Sequence, residues 1–353
     1  MRFSTTPVPP FSPNPPYLLY IPTQRSSAAL AALFCLCSCT EKQHTTDPEP
    51  QKLPIGFRPM SQAVMVKSGT AFPETIQKFG VWGIAGNNLN IQYLWNTDSF
   101  IDVYRQTDGT YKPATDAYWF SYSTHDFLAL ASNPSTVALP SVSISHTTNP
   151  NQLNPSMSFS YDLSERYTAK DYAFDLLGAA ARKTITTVTN PSQDLLFWHL
   201  FSQININVTF VDGNGTTINT GTVSQMRLLN VDKEANYIIS FNNNNELAVS
   251  CQSNSNQQAN LTFDAGTGLV NILPQDISDF KLFLDFTTNG AAIDEFEIDL
   301  TNAKAKSPYL YNNKYNWIIT IGPKQNVSFK VEVVPWTSSA IQDAENNNEF
   351  EII

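Results

Sequence analysis

The sequence predicts an all-β fold made of two antiparallel sandwiches, and three observations support this. Apolar and polar residues alternate over short stretches of the second half, and clusters of Gly, Asn and Pro separate those stretches. Only 15% of the 353 residues are charged, too few for long solvated helices. Hydrophobic residues make up 42% and aromatics 12%, ample for a sizeable core. The balance of 21 Lys+Arg against 31 Asp+Glu, net −10, argues against a generic grip on nucleic acid or an anionic membrane.

Taken from the N-terminus, Arg25 precedes an apolar run at 28–36 that is too short to cross a bilayer and suited to a signal-peptide core. Leu36, Cys37 and Ser38 lead into Cys39 in the manner of a bacterial lipobox, which makes Cys39 the expected lipidated first residue of the mature chain. Residues 1–38 are therefore expected to be a signal peptide, with an atypical proline-rich extension over 1–23. The polar, proline-containing stretch 39–53 reads as a tether that lifts the folded body off the membrane. Losing 1–38 leaves Cys251 without a partner thiol, so the folded body must be held by its core.

In the first half, Phe79-Gly80-Val81-Trp82-Gly83-Ile84, Phe127-Leu128-Ala129-Leu130-Ala131 and residues 156–163 read as strands, and 164–177 as a helical turn or two. A break is expected in the polar segment 186–193, giving domains 54–190 and 191–353. Beyond it, Ile204, Ile206, Val208 and Phe210 alternate with Asn205, Asn207 and Thr209, and Asp212-Gly213-Asn214-Gly215 signals a hairpin. The same period runs through Phe280, Leu282, Leu284 and Phe286, and through Phe296, Ile298 and Leu300. Trp317, Ile319 and Ile321 form one closing strand and Val327, Phe329, Val331 and Val333 another, with the turn at 322–326.

No chemistry-bearing motif stands out. The histidines His44, His125, His146 and His199 have no zinc-site spacing, and there is no nucleophile elbow or phosphate loop. No catalytic residue, metal or cofactor is expected. Thr124-His125-Asp126 is a poor triad because neighbours on a strand face opposite ways. The acidic run Asp294, Glu295, Glu297 and Asp299 reads as a solvated strand face, and Trp198-His199 as core at the head of a strand.

Seven segments occur in a family order. They are Lys78-Phe79-Gly80-Val81-Trp82-Gly83; Tyr118-Trp119 with Phe127-Leu128-Ala129-Leu130-Ala131-Ser132; Tyr172 through Ala179; Leu196-Phe197-Trp198-His199-Leu200; Ile272-Leu273-Pro274-Gln275; Lys314 through Ile319; and Val331 through Trp336. Behind a lipobox, this order resembles the fimbrillin-like lipoproteins, type V pilus subunits and relatives of Gram-negative anaerobes. The resemblance implies two tandem transthyretin-like Greek-key β-sandwich domains and export as an outer-membrane lipoprotein. In polymerising members a trypsin-like protease cuts in or after the first strand, and a neighbour's C-terminal segment fills the groove that is freed.

Carried onto this chain, the first strand starts at Ile55-Gly56-Phe57, and Arg58 and Lys67 are the expected cleavage residues. The donor-strand tail would lie beyond Trp336, with Ile341, Phe350, Ile352 and Ile353 as its apolar positions. The resemblance implies a surface fimbrial subunit, structural or at the tip, whose partners are other fimbrial subunits and the lipoprotein export machinery. The alternative expectation is a non-polymerising surface lipoprotein that binds a host glycan or protein through loop aromatics.

Overall fold

One N-terminal strand of six residues closes a ring of seven in the computed structural model of the chain. The structure describes residues 53–61, 76–86, 90–95, 99–147, 153–187, 192–219, 221–264 and 268–336, all within a single unit, 51–353. In chain order these hold β1 (Gly56–Ser61), β2 (Lys78–Gly86), β3 (Ile91–Tyr93), β4 (Ile101–Arg105), β5 (Tyr111–Pro113), β6 (Ser123–Asn133), β7 (Ser143–Ser145) and β8 (Ser156–Asp162). Then come α1 (Ser164–Thr168), β9 (Asp175–Ile185), β10 (Ser192–His199), β11 (Ser202–Phe210), β12 (Gly221–Asp232), β13 (Glu234–Phe241) and β14 (Leu247–Ser253). The last are β15 (Gln258–Asp264), β16 (Leu269–Ile272), β17 (Lys281–Thr288), β18 (Ala291–Ile298), α2 (Thr301–Lys304), β19 (Asn313–Ile321) and β20 (Val327–Pro335).

The first sheet has the order β3-β2-β4-β5-β1-β10-β9-β6, and β2 also pairs with β6. One edge of β2 therefore meets β6 while the other is shared by β4 and β3, and the sheet closes on itself. Phe79, Val81, Phe127, Ala129, Leu177 and Ala179 fill the interior. The outer face carries Trp82, Ile84, Leu128, Leu130 and Leu176, which join a second core with the rest of the molecule. Burial on both faces explains why β2, β6 and β9 read as continuous apolar runs rather than alternating ones. It also explains the glycines of β2: a Cβ on Gly83 would lie 2.7 Å from Leu94 and 2.9 Å from Trp95.

A four-stranded sheet, β14-β13-β8-β7, contributes Met157, Phe159, Tyr237 and Ile239 to that second core and takes strands from either side of residue 190. The remaining sheets are β16-β11-β19-β20 and β15-β12-β17-β18. Ile204, Ile206, Trp317 and Ile319 of the former share a core with Met226, Leu228, Leu282 and Leu284 of the latter. The expected strand through Leu300 ends earlier. Glu295 takes φ +54° where the register of β18 on β17 shifts, the strand stops at Ile298, and Leu300 caps α2. Trp198-His199 closes β10 instead of heading a strand.

A buried ion pair ties the ring to the β13–β14 turn. Asp126 is fully buried and receives two 2.7 Å hydrogen bonds from Arg182, whose third nitrogen donates to Asn245 and whose guanidinium lies over Phe241. Burial raises the Asp126 carboxyl above its ordinary range, with Arg182 opposing. Replacing Arg182 by alanine strands this carboxylate, and the unfolding free energy from urea titration should fall by about 3–5 kcal/mol. The Asp126→Ala/Arg182→Ala double variant should lose less than the sum of the single changes.

Candidate functional site

The seam that β1 occupies is the place where the ring closes. On one side β1 pairs in parallel with β10, from Gly56↔Ser192 to Ser61↔Phe197. On the other it meets β5 at a single position, Phe57↔Tyr111. Pro59 removes one N–H donor from the strand. Its grip comes instead from side chains at alternate positions: Ile55 and Phe57 are 2% and 3% exposed. The Phe57 ring meets Phe127 edge-on at 5.5 Å and Phe79 at 6.2 Å. Burying two such side chains contributes roughly 1.5–3 kcal/mol each.

Arg58 points outward and forms a bidentate pair with Asp194 at 2.7 and 2.6 Å, exposed on both sides. Its peptide lies in the middle of a paired strand. Of the other expected site residues, Cys39, Lys67, Ile341, Phe350, Ile352 and Ile353 fall outside the described residues.

At the entrance of the seam the chain ahead of β1 is stitched to the loop between β5 and β6. Ile55 N–H donates to Ala117 C=O and Trp119 N–H to Leu53 C=O, and Pro54 bridges Tyr118. Beneath that loop lies His125, fully buried, with Trp119 edge-on at 4.9 Å and Phe120 stacked at 6.0 Å. Its Nε2 accepts the Phe120 N–H, which leaves the ring proton on Nδ1. Burial lowers the His125 pKa to about 4, and Lys183 adds to the effect. Asp126 faces the other way, to Arg182, so the two residues share no proton path.

At the far end of β10, His199 Nδ1–H donates to the buried Asp175 at 2.5 Å, and the imidazole stacks on Trp336 with centroids 4.0 Å apart. Trp336 N–H donates to Asn312 C=O, and His199 N–H reaches the Asn312 side chain. Trp336 is the last described residue. Nothing in the sequence paired His199 with Trp336, which come together only through β19 and β20.

The Ile272-Leu273-Pro274-Gln275 segment has a physical reason. Buried Gln275 accepts the Asp232 N–H through its side chain and donates to Leu273 C=O, and its backbone pairs with Tyr309. Cys251 is half-buried, and burial pushes its thiol up to about 11, away from reactive thiolate. Among the described residues no three His, Cys, Asp or Glu gather as metal ligands, and no helix is long and apolar enough to cross a membrane.

A ring closed by β1 and packed on further β-sheets defines the class of all-β protein to which the fold belongs. The sequence matches the fimbrillin-like family over residues 66–336, and the chain belongs to that family. Among curated proteins none matches. Among solved structures, a protein assigned to cell adhesion from Bacteroides uniformis is similar at 19% identity and TM-score 0.50, over 81% of this chain and 99% of that one. A fimbrial protein from Bacteroides vulgatus is similar at 15% identity and TM-score 0.48, over 80% and 99%. The likeness to the first of these speaks to the fold.

Phe57→Ala should lower the stability of the full chain by about 3–5 kcal/mol in denaturant titration, whereas Arg58→Ala should cost under about 1 kcal/mol and lose its effect in high salt. The sign for His125 follows from its lowered pKa. From pH 6.5 down to about 4 the unfolded chain takes up a proton that the folded histidine does not. Over that window the fold should lose up to about 3 kcal/mol through this residue. His125→Gln should flatten that part of the pH–stability curve relative to the unaltered chain.

Proposed function

We propose that the protein is a structural or tip subunit of a surface fimbria, assembled by strand exchange after proteolysis and contributing to adhesion. In this reading residues 1–38 are removed on export, Cys39 is lipidated, and 39–53 tethers the precursor to the outer membrane through the lipoprotein export machinery. In this reading the transthyretin-like sandwich domains divide near residue 190 in the sequence, with β10 and the β8–β13 pairing crossing that boundary. The observation that carries the reading is the seam: β1 closes the ring with two core side chains, six parallel pairs and a single pair to β5. Its loss exposes unpaired backbone and an apolar slot of the kind a donated strand repairs.

Geometry favours Lys67 over Arg58 as the cleavage residue. A cut after Arg58 falls inside the paired strand and leaves half of it in place, whereas a cut after Lys67 detaches β1 whole. The segment 337–353, leaving from Trp336, spans roughly 55 Å if extended, against roughly 20 Å for β1. Ile341, Phe350, Ile352 and Ile353 are its apolar positions.

The test is the N-terminal mass of the chain recovered from sheared surface filaments and, separately, from outer membranes. The expected filament form begins at Ser68, and the membrane form at acylated Cys39. Recovery of the acylated form alone, confined to membranes, would overturn the reading and leave an anchored lipoprotein that binds a host glycan or protein.

A further inference from the structure

The interior of the ring is packed with Phe127, Ala129, Leu177 and Ala179, but the end at which β6 and β10 begin carries a polar layer. His125 lies two residues before Phe127 on β6 and so shares its inward face, with the two rings stacked. Opposite it stand Lys183 on β9 and the uncharged Ala85 on β2. Lys183 Nζ reaches Ser192 C=O at 3.5 Å, which places the start of β10 at the same end, with Gln193 beside Phe57 of β1. His125 and Gln193 are both buried, yet His125 Nδ1 and Gln193 Oε1 have no hydrogen-bond partner. Such groups gain when an opening brings them to water.

Residues 117–120 cover this layer and are fastened in two directions. Inward, Trp119 meets His125 edge-on and lies under the Lys183 ammonium at 4.8 Å, and His125 Nε2 accepts the Phe120 N–H at 3.1 Å. Sideways, Ala117 C=O accepts the Ile55 N–H at 2.8 Å, and Trp119 N–H donates to Leu53 C=O at 3.1 Å. One short segment therefore holds the imidazole and the chain entering β1 together. A second proton on His125 undoes the inward fastening, because Nε2–H would then face the Phe120 N–H, donor against donor. The new cation meets no carboxylate. The charged group facing it is Lys183, the covering segment and β2 offer none, and Asp126 on its own strand faces away to Arg182. Burial, with Lys183 adding to it, keeps the closed imidazole neutral down to about pH 4. His199 is the contrast, since a proton added there faces the Asp175 carboxylate.

We propose that His125 is an acid-sensitive latch on the N-terminal strand: taking a second proton lifts 117–120 off the end of the ring, and the lift frees residues 53–55, so that β1 opens from its first residue while the other sheets stay closed. The latch does not depend on proteolysis or strand exchange; it sets when the closing strand is loose. Its direction follows from linkage. Opening brings His125 to water, the open form is the one that binds the proton, and acid therefore favours opening. With the imidazole charging near pH 6.5 in water and near pH 4 when closed, opening should become about twentyfold more frequent from pH 7 to pH 5. The change stays local because the other ties lie elsewhere. The β2–β6–β9 ladders do not pass through 117–120, and Arg182 joins Asp126 to Asn245 away from it.

The test is hydrogen exchange of the full chain, read by mass spectrometry from pH 7 to pH 5, with each rate divided by the intrinsic rate at that pH. Peptides spanning 53–61 and 115–122 should show the about twentyfold rise together. At pH 5 their opening should be nearly insensitive to low urea, whereas β13 and β19 should open far more rarely and with the steep urea slope of global unfolding. Two variants remove the titration. His125→Gln keeps an acceptor for the Phe120 N–H, and His125→Phe suits the aromatic surroundings; in either one that folds, the acid-driven rise at both peptides should vanish. A rise of unaltered size in a folded variant overturns the proposal. A response at 115–122 without one at 53–61 overturns the coupling to β1. If 53–61 opens only at the rate and urea slope of β13 and β19, the acid effect is global unfolding and there is no latch.

Discussion

The fold depends on a ring that β1 closes between β10 and β5. Without β1, strands β10, β9, β6, β2, β4 and β5 still form an unbroken hydrogen-bonded series, because β2 pairs with β6 on one edge and β4 on the other. Removing β1 opens the ring without unravelling it. The cost is concentrated in the slot that held Ile55 and Phe57, where Phe79, Phe127 and Tyr111 would face water. A hydrophobic slot flanked by two strand edges that lack partners is a strong attractor for another strand. The surrounding architecture keeps that slot in shape: β6 and β9 are buried on both faces, and Asp126–Arg182 binds them to the β13–β14 turn.

Much of this was legible in the sequence, and the parts that were not share a cause. Strands with one wet face, such as β11, β17, β19 and β20, declared themselves through period-two alternation at Ile204–Phe210 or Trp317–Ile321. The β12 strand was not legible because its alternation slips: the register shifts near Val223 and again between Leu228 and Val231, with Asn230 at φ +66°. In β13 the pattern is blurred by Ile238, 49% exposed between buried Tyr237 and Ile239. The β1 sequence, Gly-Phe-Arg-Pro-Met-Ser, has no strand signature of its own. It is a strand because β10 is there to receive it.

The functional reading was legible to a similar depth. Ordered motifs pointed to the family, and the structure supplies their physical content: Gly83 makes room for Trp95, Gln275 satisfies the Asp232 amide, and His199 carries Trp336. The aromatic loop was visible only as Tyr118-Trp119 in a motif. Its division into an inward Trp119 and outward Tyr118, Phe120 and Tyr122, and its attachment to residues 53–55, required the three-dimensional register.

Chain connectivity fits the proposal that the closing strand is the one that exchanges. Arg58 and Asp194 are 136 residues apart, whereas β10 follows β9, and β5 follows β4, over short connections. Loop-closure entropy rises with separation, so the series from β10 round to β5 can form before β1 docks. Its parallel pairing adds to this, since parallel ladders are slightly weaker per residue and β1 is not held to β10 by a hairpin. A replacement strand from another chain has no loop to close within the same molecule; it gives up translational freedom instead.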